Sequence, residues 1–184
     1  MGRHSSTTKP NKSFGREVLS YVIVIIFAAL VSILFRVFFF EPFIVPTPSM
    51  EATLMVQDKV IVNKFSYKFT GIKRGDIVVF PSPVDEGKDL VKRAIAFEGE
   101  TVKLGKDGII YINDKPIEKD YYTENIPPEY TDQIFKIGKN EIFVMGDNRN
   151  NSYDSRYFGS IQKTDVFGKV FLIYWPVSRI KFVK

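Results

Sequence analysis

The residues that could carry chemistry begin with a serine in a proline-rich stretch, residues 40–54. Ser49 follows Pro48, and Pro42 and Pro46 lie upstream of it. Because proline fixes φ and has no backbone N–H, the stretch is predicted to be extended, neither a helix nor a central strand. Such a stiff segment can hold a hydroxyl in a cleft and leave backbone groups for a ligand. A plain linker between an anchor and a domain is the alternative.

A lysine in a predicted strand is the second candidate. Lys92 lies in the apolar segment 90–97. Because side chains alternate across a strand, Lys92 is predicted to share one face with Ala94 and Ala96, and Arg93 the other face. If apolar surface covers this strip, the ammonium group loses hydration and its pKa falls, so that a neutral amine could act as a general base. A solvated strand lysine is the alternative.

The third candidate is the polar loop 145–159, with the sequence MGDNRNNSYDSRYFG. Its acids and arginines could form bidentate ion pairs that fix neighbouring polar groups. Asp147 and Asp154 could in principle bind a metal ion. The interleaved arginines would compete for both carboxylates, so no metal site is expected. An ordinary surface loop could also have this composition.

Composition excludes several kinds of chemistry. The 184-residue chain has no cysteine, and its single histidine is His4, ahead of the apolar run. A cysteine nucleophile, a Ser-His-Asp triad and a histidine-based zinc site are therefore not expected in the domain. A hydrolase would need a carboxylate, a lysine or water as its base. The net charge is +5, and the basic residues alternate with acidic ones, so we expect no nucleic-acid partner. No cofactor is expected.

The N-terminal region predicts one membrane anchor. Residues 18–35 carry no charge and are apolar on all sides of a helix, which predicts an anchor over residues 18–40. A cleavable signal peptide would have a shorter apolar run followed by small residues, whereas Arg36 and three phenylalanines follow here. The basic tail 1–17 is predicted to be disordered and to stay in the cytoplasm, with the domain on the other side.

The segment between the anchor and Ser49 is rich in large apolar residues. Some of them should pack on the domain, and others should form an exposed patch that rests on lipid. These residues are Phe38, Phe39, Phe40, Phe43 and Ile44.

Patterns typical of strands dominate from residue 58 onward and predict a mainly β domain over residues 41–184. The predicted strands are 58–65, 77–80, 90–97, 141–145 and 166–175, with a hairpin in 108–117 that turns at Asn113 and Asp114. Residues 120–134 are predicted to form a loop.

Several short blocks occur in the order found in one known family. They are Pro48-Ser49-Met50 with Thr53-Leu54, Arg74-Gly75-Asp76-Ile77-Val78, Lys92-Arg93-Ala94-Ile95, and Gly146-Asp147-Asn148-Arg149 with Ser152, Asp154-Ser155-Arg156 and Gly159. With the basic tail and the anchor, the chain resembles bacterial type I signal peptidases from the anchor to Gly159, and less distinctly to Lys184.

The resemblance implies a mainly β fold: an antiparallel β-sheet catalytic domain with one N-terminal transmembrane helix and a small β insertion near residues 102–141. It implies a serine endopeptidase in which Ser49 is the nucleophile and Lys92 the general base. The Ser49 backbone N–H and the Thr47 hydroxyl would form the oxyanion hole. Ser152 would orient the lysine amine, and two ion pairs, Arg93 with Asp147 and Asp154 with Arg156, would support the site.

The resemblance also implies a substrate and a place in the cell. The expected substrates are signal peptides of secretory preproteins, cut after small residues in an Ala-x-Ala pattern because shallow pockets reject large side chains. Membrane lipid is an expected partner, and the secretion machinery is a further candidate. The enzyme would be a single-pass protein of the plasma membrane.

The chain departs from the family pattern at four positions, which bear on turn geometry and substrate subsites. Ala52 stands where proline is usual, Ala96 and Glu98 where glycine and proline are usual, and Glu100 where aspartate is common. Two rival functions remain. A self-cleaving repressor-type protease would have a DNA-binding domain and an Ala-Gly site, and the sequence has neither. An inactive anchored β module that binds secretory peptides would not need Ser49 and Lys92.

Overall fold

The computed structural model describes residues 14–65, 70–117 and 130–183. The chain divides into two compact units, Met1–Phe38 and Phe39–Lys184. Residues 1–13 of the predicted disordered tail lie outside the described residues, as does most of the predicted loop 120–134. The prediction of disorder is wrong at residues 14–17, which are helical.

A single long helix, α1 (Phe14–Phe39), forms the described part of the first unit. Its segment Gly15–Leu34 is predominantly apolar, and none of its apolar window is buried within the protein. Among the described residues it is the one helix long and apolar enough to cross a membrane. At about 1.5 Å per residue, 20 residues span roughly 30 Å, which matches the hydrocarbon thickness of a bilayer. Because its surface is apolar on all sides, lipid suits this helix better than water.

The second unit is mainly antiparallel β-sheet, which confirms the predicted fold class. Its strands are β1 (Phe40–Ile44), β2 (Lys59–Asn63), β3 (Ile77–Pro81), β4 (Asp89–Phe97), β5 (Thr101–Leu104), β6 (Ile110–Ile112), β7 (Lys115–Pro116), β8 (Ile134–Lys136), β9 (Glu141–Met145), β10 (Ile161–Gln162), β11 (Gly168–Trp175) and β12 (Lys181–Phe182). A short helix, Ser155–Phe158, follows β9.

The larger sheet has the strand order β1–β2–β11–β3–β4–β9–β10, and β12 pairs with β11. The smaller sheet has the order β7–β6–β5–β8. The β6–β7 hairpin turns at Asn113 and Asp114, both with positive φ, as the sequence predicts. Buried apolar side chains from both sheets, including Ile95, Leu104 and Phe143, form a core between them.

The proline-rich stretch combines three conformations. Pro42 lies in β1, an edge strand, where a missing N–H is tolerated. Residues 45–47 continue without regular structure, and Pro48–Met50 then form a 3₁₀ turn. The prediction of a wholly extended, non-helical stretch is therefore wrong at Ser49. Pro48 is the reason, because a proline at the first helical position is already set to a helical φ.

A β-bulge changes the predicted faces of β4. Lys92 lies opposite Val78 of β3, and Ala94 lies opposite Val144 of β9. The register with β9 then shifts between Ala94 and Ala96. An extra residue in one strand reverses the alternation beyond it. Ala94 packs with Val78 and Val144, whereas Ala96 packs in the core of the smaller sheet. The predicted shared face of Lys92, Ala94 and Ala96 is therefore wrong at Ala96.

Candidate active site

Ser49 lies in the 3₁₀ turn between β1 and β2 and is buried. The Glu51 N–H donates to the Pro48 carbonyl at 3.0 Å and closes the turn. The N–H of Ser49 precedes this first hydrogen bond, and such groups have no partner within their own helix. The turn therefore presents both the hydroxyl and the amide of Ser49 on one short segment.

Lys92, on β4, reaches Ser49 from the strand side. Its Nζ donates to Ser49 Oγ at 2.7 Å, and the residue is only 2% exposed. Burial strips water from the ammonium group and lowers the pKa of Lys92 from 10.5 to about 8. The charge of Arg156 acts in the same direction, while the carboxylates of Asp154 and Asp147 oppose it. A substantial fraction of the amine is thus neutral in mildly alkaline solution, and a neutral amine can accept a proton from Ser49.

Thr47 lies two residues before Ser49 and beside its hydroxyl. The distance between Thr47 Oγ1 and Ser49 Oγ is 3.3 Å. The Thr47 hydroxyl and the Ser49 N–H therefore lie on the same short segment as the candidate nucleophile, where both could donate to an oxyanion.

Arg93 and Asp147 form a buried, bidentate ion pair next to Lys92. Arg93 Nε donates to Asp147 Oδ1 at 2.7 Å, and Nη2 donates to Oδ2 at 2.6 Å. Arg93 Nη1 donates to the Gly75 carbonyl at 2.6 Å. Buried charges need partners of this quality because desolvation is costly. The pair joins β4 to the loop that follows β9.

Asp154 and Arg156 form a second buried ion pair within that loop. Both contacts, Nε to Oδ1 and Nη2 to Oδ2, are 2.9 Å. Asp154 also accepts from the Arg156 backbone N–H, which caps the helix Ser155–Phe158, and from the Gly146 N–H at 3.0 Å. The Arg156 guanidinium lies 5.0 Å from the ring centre of Tyr130. The loop is therefore fixed internally by its own acids and arginines.

Ser152 is buried, and its Oγ has no hydrogen-bond partner among the described residues. It packs against Gly146, where a Cβ would overlap both Ser152 Oγ and the carbonyl oxygen of Ser49. A glycine is required there because Ser152 and the Ser49 backbone approach it from two sides. The structure thus brings Ser152 to the Ser49 segment but shows no hydrogen bond between Ser152 and Lys92.

Two further residues, to which the sequence pattern assigned no role, hold the Ser49 segment. The Asn148 N–H donates to the Ser49 carbonyl at 3.1 Å, and Asn148 Nδ2 donates to the Pro48 carbonyl at 3.2 Å. Thr53 Oγ1 donates to Asp147 Oδ2 at 2.5 Å. Only their positions inside the motif blocks could have indicated a role in the site. Their residue types gave no such indication, because asparagine and threonine are common in loops.

The described residues contain no group of three or more histidine, cysteine, aspartate or glutamate side chains that could hold a metal ion. Asp147 and Asp154 are the acids that could in principle bind a metal ion, and each forms an ion pair with an arginine. The chemical capacity of the site therefore lies in Ser49, Lys92 and the donors around them.

The second unit places a buried lysine amine on a serine hydroxyl, and the same chain contains a helix long and apolar enough to cross a membrane. These features are those of a membrane-associated serine peptidase. The sequence matches the family described as signal peptidase, peptidase S26, over residues 18–175. The chain therefore belongs to the signal peptidase family and is a peptidase.

Individual relatives agree with this family. The chain is 36% identical over 178 residues to signal peptidase I P of Bacillus subtilis subsp. natto, covering 91% of this chain and 95% of the relative. It is 38% identical over 153 residues to signal peptidase I of Leptolyngbya laminosa, covering 79% and 73%. A crystal structure of a signal peptidase I from Enterococcus faecalis V583 has 33% identity and a TM-score of 0.46, covering 53% of this chain and 95% of that one.

Proposed function

We propose that this chain is a membrane-bound serine endopeptidase that removes N-terminal signal peptides from exported preproteins by a Ser-Lys mechanism. The observation that carries the proposal is the contact of 2.7 Å between Lys92 Nζ and Ser49 Oγ, both buried. A serine hydroxyl is a weak nucleophile until an adjacent base accepts its proton. Lys92 is the only titratable side chain hydrogen-bonded to Ser49 Oγ among the described residues.

The reaction begins with a proton transfer. In the structure the amine of Lys92 donates to Ser49 Oγ. In its neutral form the same amine accepts the Ser49 proton, while Oγ attacks the carbonyl carbon of the scissile peptide bond. The lysine then carries the proton and delivers it to the nitrogen of the leaving amine as the C–N bond breaks. The products of this half-reaction are the free mature protein and the signal peptide esterified to Ser49.

The negative charge that develops on the carbonyl oxygen needs donors that are already in place. The N–H of Ser49 and the hydroxyl of Thr47 supply them in this proposal. Water completes the cycle. The water molecule attacks the ester carbon while the Lys92 amine accepts a proton from it, and Lys92 passes this proton to Ser49 Oγ when the ester bond breaks. Ser152 is proposed to orient the lysine amine in these steps, which is supported by its position against Gly146.

The substrate preference rests on family membership rather than on a described pocket. We expect cleavage after small residues in an Ala-x-Ala pattern, because pockets that fit alanine exclude larger side chains by overlap. The proposed placement is the plasma membrane, with the N-terminus in the cytoplasm and the second unit outside. Helix α1 supplies an anchor of sufficient length, and the basic residues that precede it favour this orientation.

Lipid is proposed to contact a surface that we call the outer apolar face. It consists of large apolar side chains that are each half or more exposed: Ile44, Trp175, Val177, Ile180 and Phe182. In the strand register Ile44 lies opposite Lys59, which lies opposite Trp175, so the three share one face of the sheet. The opposite face of β2 packs Val60 and Val62 into the core.

The large apolar residues next to the anchor are predicted to divide between packing on the domain and an exposed patch. Phe39 packs against Phe65, with ring centres 4.6 Å apart. Phe43 packs against Phe167, with ring centres 6.1 Å apart, and Phe40 packs against Phe171 at 5.4 Å. Ile44 remains exposed, whereas the side chain of Phe38 lies outside the described residues. Exposed apolar area of this extent is typical of an interaction site. One of its residues, Ile44, lies on β1, the strand that directly follows α1 in the chain, which favours lipid.

The direct experiment is cleavage of a purified secretory preprotein by the full-length chain in detergent, with the new N-terminus of the product sequenced. We expect one cut after an Ala-x-Ala sequence and no cut by Ser49→Ala. Specific cleavage that persists in Ser49→Ala would contradict the proposed nucleophile. A cut elsewhere in the preprotein would contradict the proposed specificity.

A further inference from the structure

We propose that Thr53 is a positioning residue that holds the Ser49 segment in register with Lys92 through its hydroxyl. This inference rests on the proposed Ser-Lys mechanism. Thr53 contacts neither reacting atom. It acts through the ion pair of Arg93 and Asp147.

The two reacting groups need such a device because little else joins them directly. Ser49 and Lys92 are 43 positions apart in sequence and lie on different elements, a 3₁₀ turn and β4. Their direct link is one hydrogen bond, from Nζ to Oγ. That bond is lost when Ser49 is acylated. The separation must therefore be kept by groups that do not take part in the reaction.

Thr53 is rigidly connected to the nucleophile along the chain. The Thr53 N–H donates to the Met50 carbonyl at 3.1 Å, and the Leu54 N–H donates to the same oxygen at 2.8 Å. Met50 and Leu54 are both buried in the core. The 3₁₀ turn that contains Ser49 is therefore followed directly by a second hydrogen-bonded turn that ends at Thr53, and a restraint on Thr53 is passed to Ser49.

The hydroxyl of Thr53 is tied to the strand of the lysine. It donates to Asp147 Oδ2 at 2.5 Å and accepts from Arg93 Nη2 at 3.3 Å. Arg93 is the residue directly after Lys92, and its guanidinium is fixed by Asp147 and Gly75. The Thr53 hydroxyl therefore uses both its donor and its acceptor capacity on one rigid ion pair.

A further connection to the Ser49 segment runs through the loop after β9. Asp147 is followed by Asn148, whose N–H donates to the Ser49 carbonyl. On its other side, the Thr53 carbonyl accepts from Arg179 Nη2 at 3.5 Å, and Arg179 is paired with the buried Asp58. Three chain segments are joined in this way. Thr53 is close in sequence to Ser49, Arg93 directly follows Lys92, and Asn148 is hydrogen-bonded to Ser49 itself.

The chemistry of the side chain makes the proposal testable. Valine has nearly the shape of threonine but cannot hydrogen-bond, so Asp147 Oδ2 would lose a donor while packing is kept. Serine keeps the hydroxyl and loses only a methyl group. Because a misplacement of about 1 Å can cost roughly 100-fold in rate, a small shift of Ser49 would be visible in kcat.

The experiment uses the full-length chain in detergent and a preprotein cleaved by the wild type. We expect Thr53→Val to lower kcat by roughly 10- to 100-fold with KM changed by less than about twofold, because substrate contacts are kept. Thr53→Ser should restore kcat to within about threefold. The control is Thr101→Val on β5, whose hydroxyl has no hydrogen bond among the described residues. It should cleave like the wild type.

Rates are normalised to the folded fraction measured by circular dichroism, and Thr53→Ala replaces the valine variant if that variant does not fold. A normalised kcat in Thr53→Val equal to that of the wild type would overturn the role of Thr53. So would a loss that Thr53→Ser does not recover, or one that only parallels the unfolded fraction. Failure of the wild type itself to cut a preprotein would instead count against the proposed function.

Discussion

The centre around Ser49 and the outer apolar face belong to the same unit but distribute polar and apolar groups in opposite ways. Around Ser49, two ion pairs consist of side chains that are each 7% exposed or less: Arg93 with Asp147, and Asp154 with Arg156. On the outer apolar face, five large apolar side chains are half or more exposed. Neither arrangement is the default for a globular domain, where charges are solvated and contiguous apolar area is covered.

The difference indicates which kind of partner each region binds, a substrate in one case and an apolar surface in the other. In both ion pairs the carboxylate oxygens accept from arginine at 2.6–2.9 Å, so these charges are paired before a substrate arrives. The side chains of the outer apolar face stay half or more exposed in their own unit, and this apolar area is stabilised when something apolar covers it. A preorganised centre suits catalysis, whereas an uncovered face suits contact with lipid.

The largest expected effect comes from removing either reacting group. Ser49→Ala and Lys92→Ala should each lower kcat by about 10⁴-fold or more, because a nucleophile and its base act as one unit. Lys92→Arg should fail equally, since a guanidinium stays protonated and cannot accept the serine proton. The measurement is turnover of a preprotein by purified, folded variants.

A matched control for the lysine is Lys103→Arg on β5, where the side chain is exposed. This variant should keep the activity of the wild type. Turnover by Lys92→Arg at even a tenth of the wild-type rate would remove Lys92 as the base.

The next largest effect concerns the stability of the buried charges. Arg156→Met leaves the fully buried Asp154 without its guanidinium partner, which should lower the free energy of unfolding by about 3–5 kcal/mol. The exposed pair of Lys88 and Asp85, with nitrogen and oxygen 3.3 Å apart, is the control. Lys88→Met should cost less than about 1 kcal/mol. Urea unfolding in detergent compares the two, and equal losses would mean that the Asp154 pair is solvated.

A smaller effect is expected on the pH dependence of stability. The pKa of Lys92 is about 8 in the folded protein and 10.5 ordinarily. Below pH 8 both states carry the charge, so the full cost of burying it is present. Between pH 8 and 10.5 the unfolded state binds more protons, so stability rises with pH, and above 10.5 no change remains. Thermal unfolding of the wild type should therefore show a rise in this window that Lys92→Met lacks. Parallel curves for the two proteins would contradict a buried lysine.

The smallest effect concerns the outer apolar face. The second unit, Phe39–Lys184, should bind lipid vesicles without α1, and changing Trp175 and Phe182 together to serine should weaken binding on the order of tenfold. Ile134→Ser on β8 is the control, since Ile134 is equally exposed in the smaller sheet. Vesicle co-sedimentation measures the binding. Similar losses in both variants, or none in either, would show that this face has no special role toward lipid.

The sequence predicted the fold class because β-branched runs and turn residues are local signals. The strand 141–145 was predicted with the bounds it has, and the Asn113–Asp114 turn follows from residues that tolerate positive φ. The strands Thr101–Leu104 and Ile134–Lys136 were missed. Each is short and acquires its pattern from pairing with the other, a contact between distant parts of the chain.

The main residues of the site could be predicted from the sequence, but the contacts between them could not. Ser49 and Lys92 stood out by residue type and neighbours, whereas the bulge beside Ala96 has no local signal. Ala52 adopts a φ of 73°, which proline cannot reach, so the departure from the usual family proline reflects a different turn here. The support from Thr53 and Asn148 depends on tertiary geometry and could not be read from the chain alone.

The most direct test of the Ser-Lys mechanism is the pKa of Lys92 itself, measured by NMR of an isotope-labelled side-chain amine and compared with the pH dependence of kcat. The Ser49–Lys92 contact predicts that both transitions lie near pH 8, with activity rising as the amine loses its proton. A lysine that titrates near its ordinary value of 10.5, in an enzyme already fully active well below pH 8, would contradict Lys92 as the base.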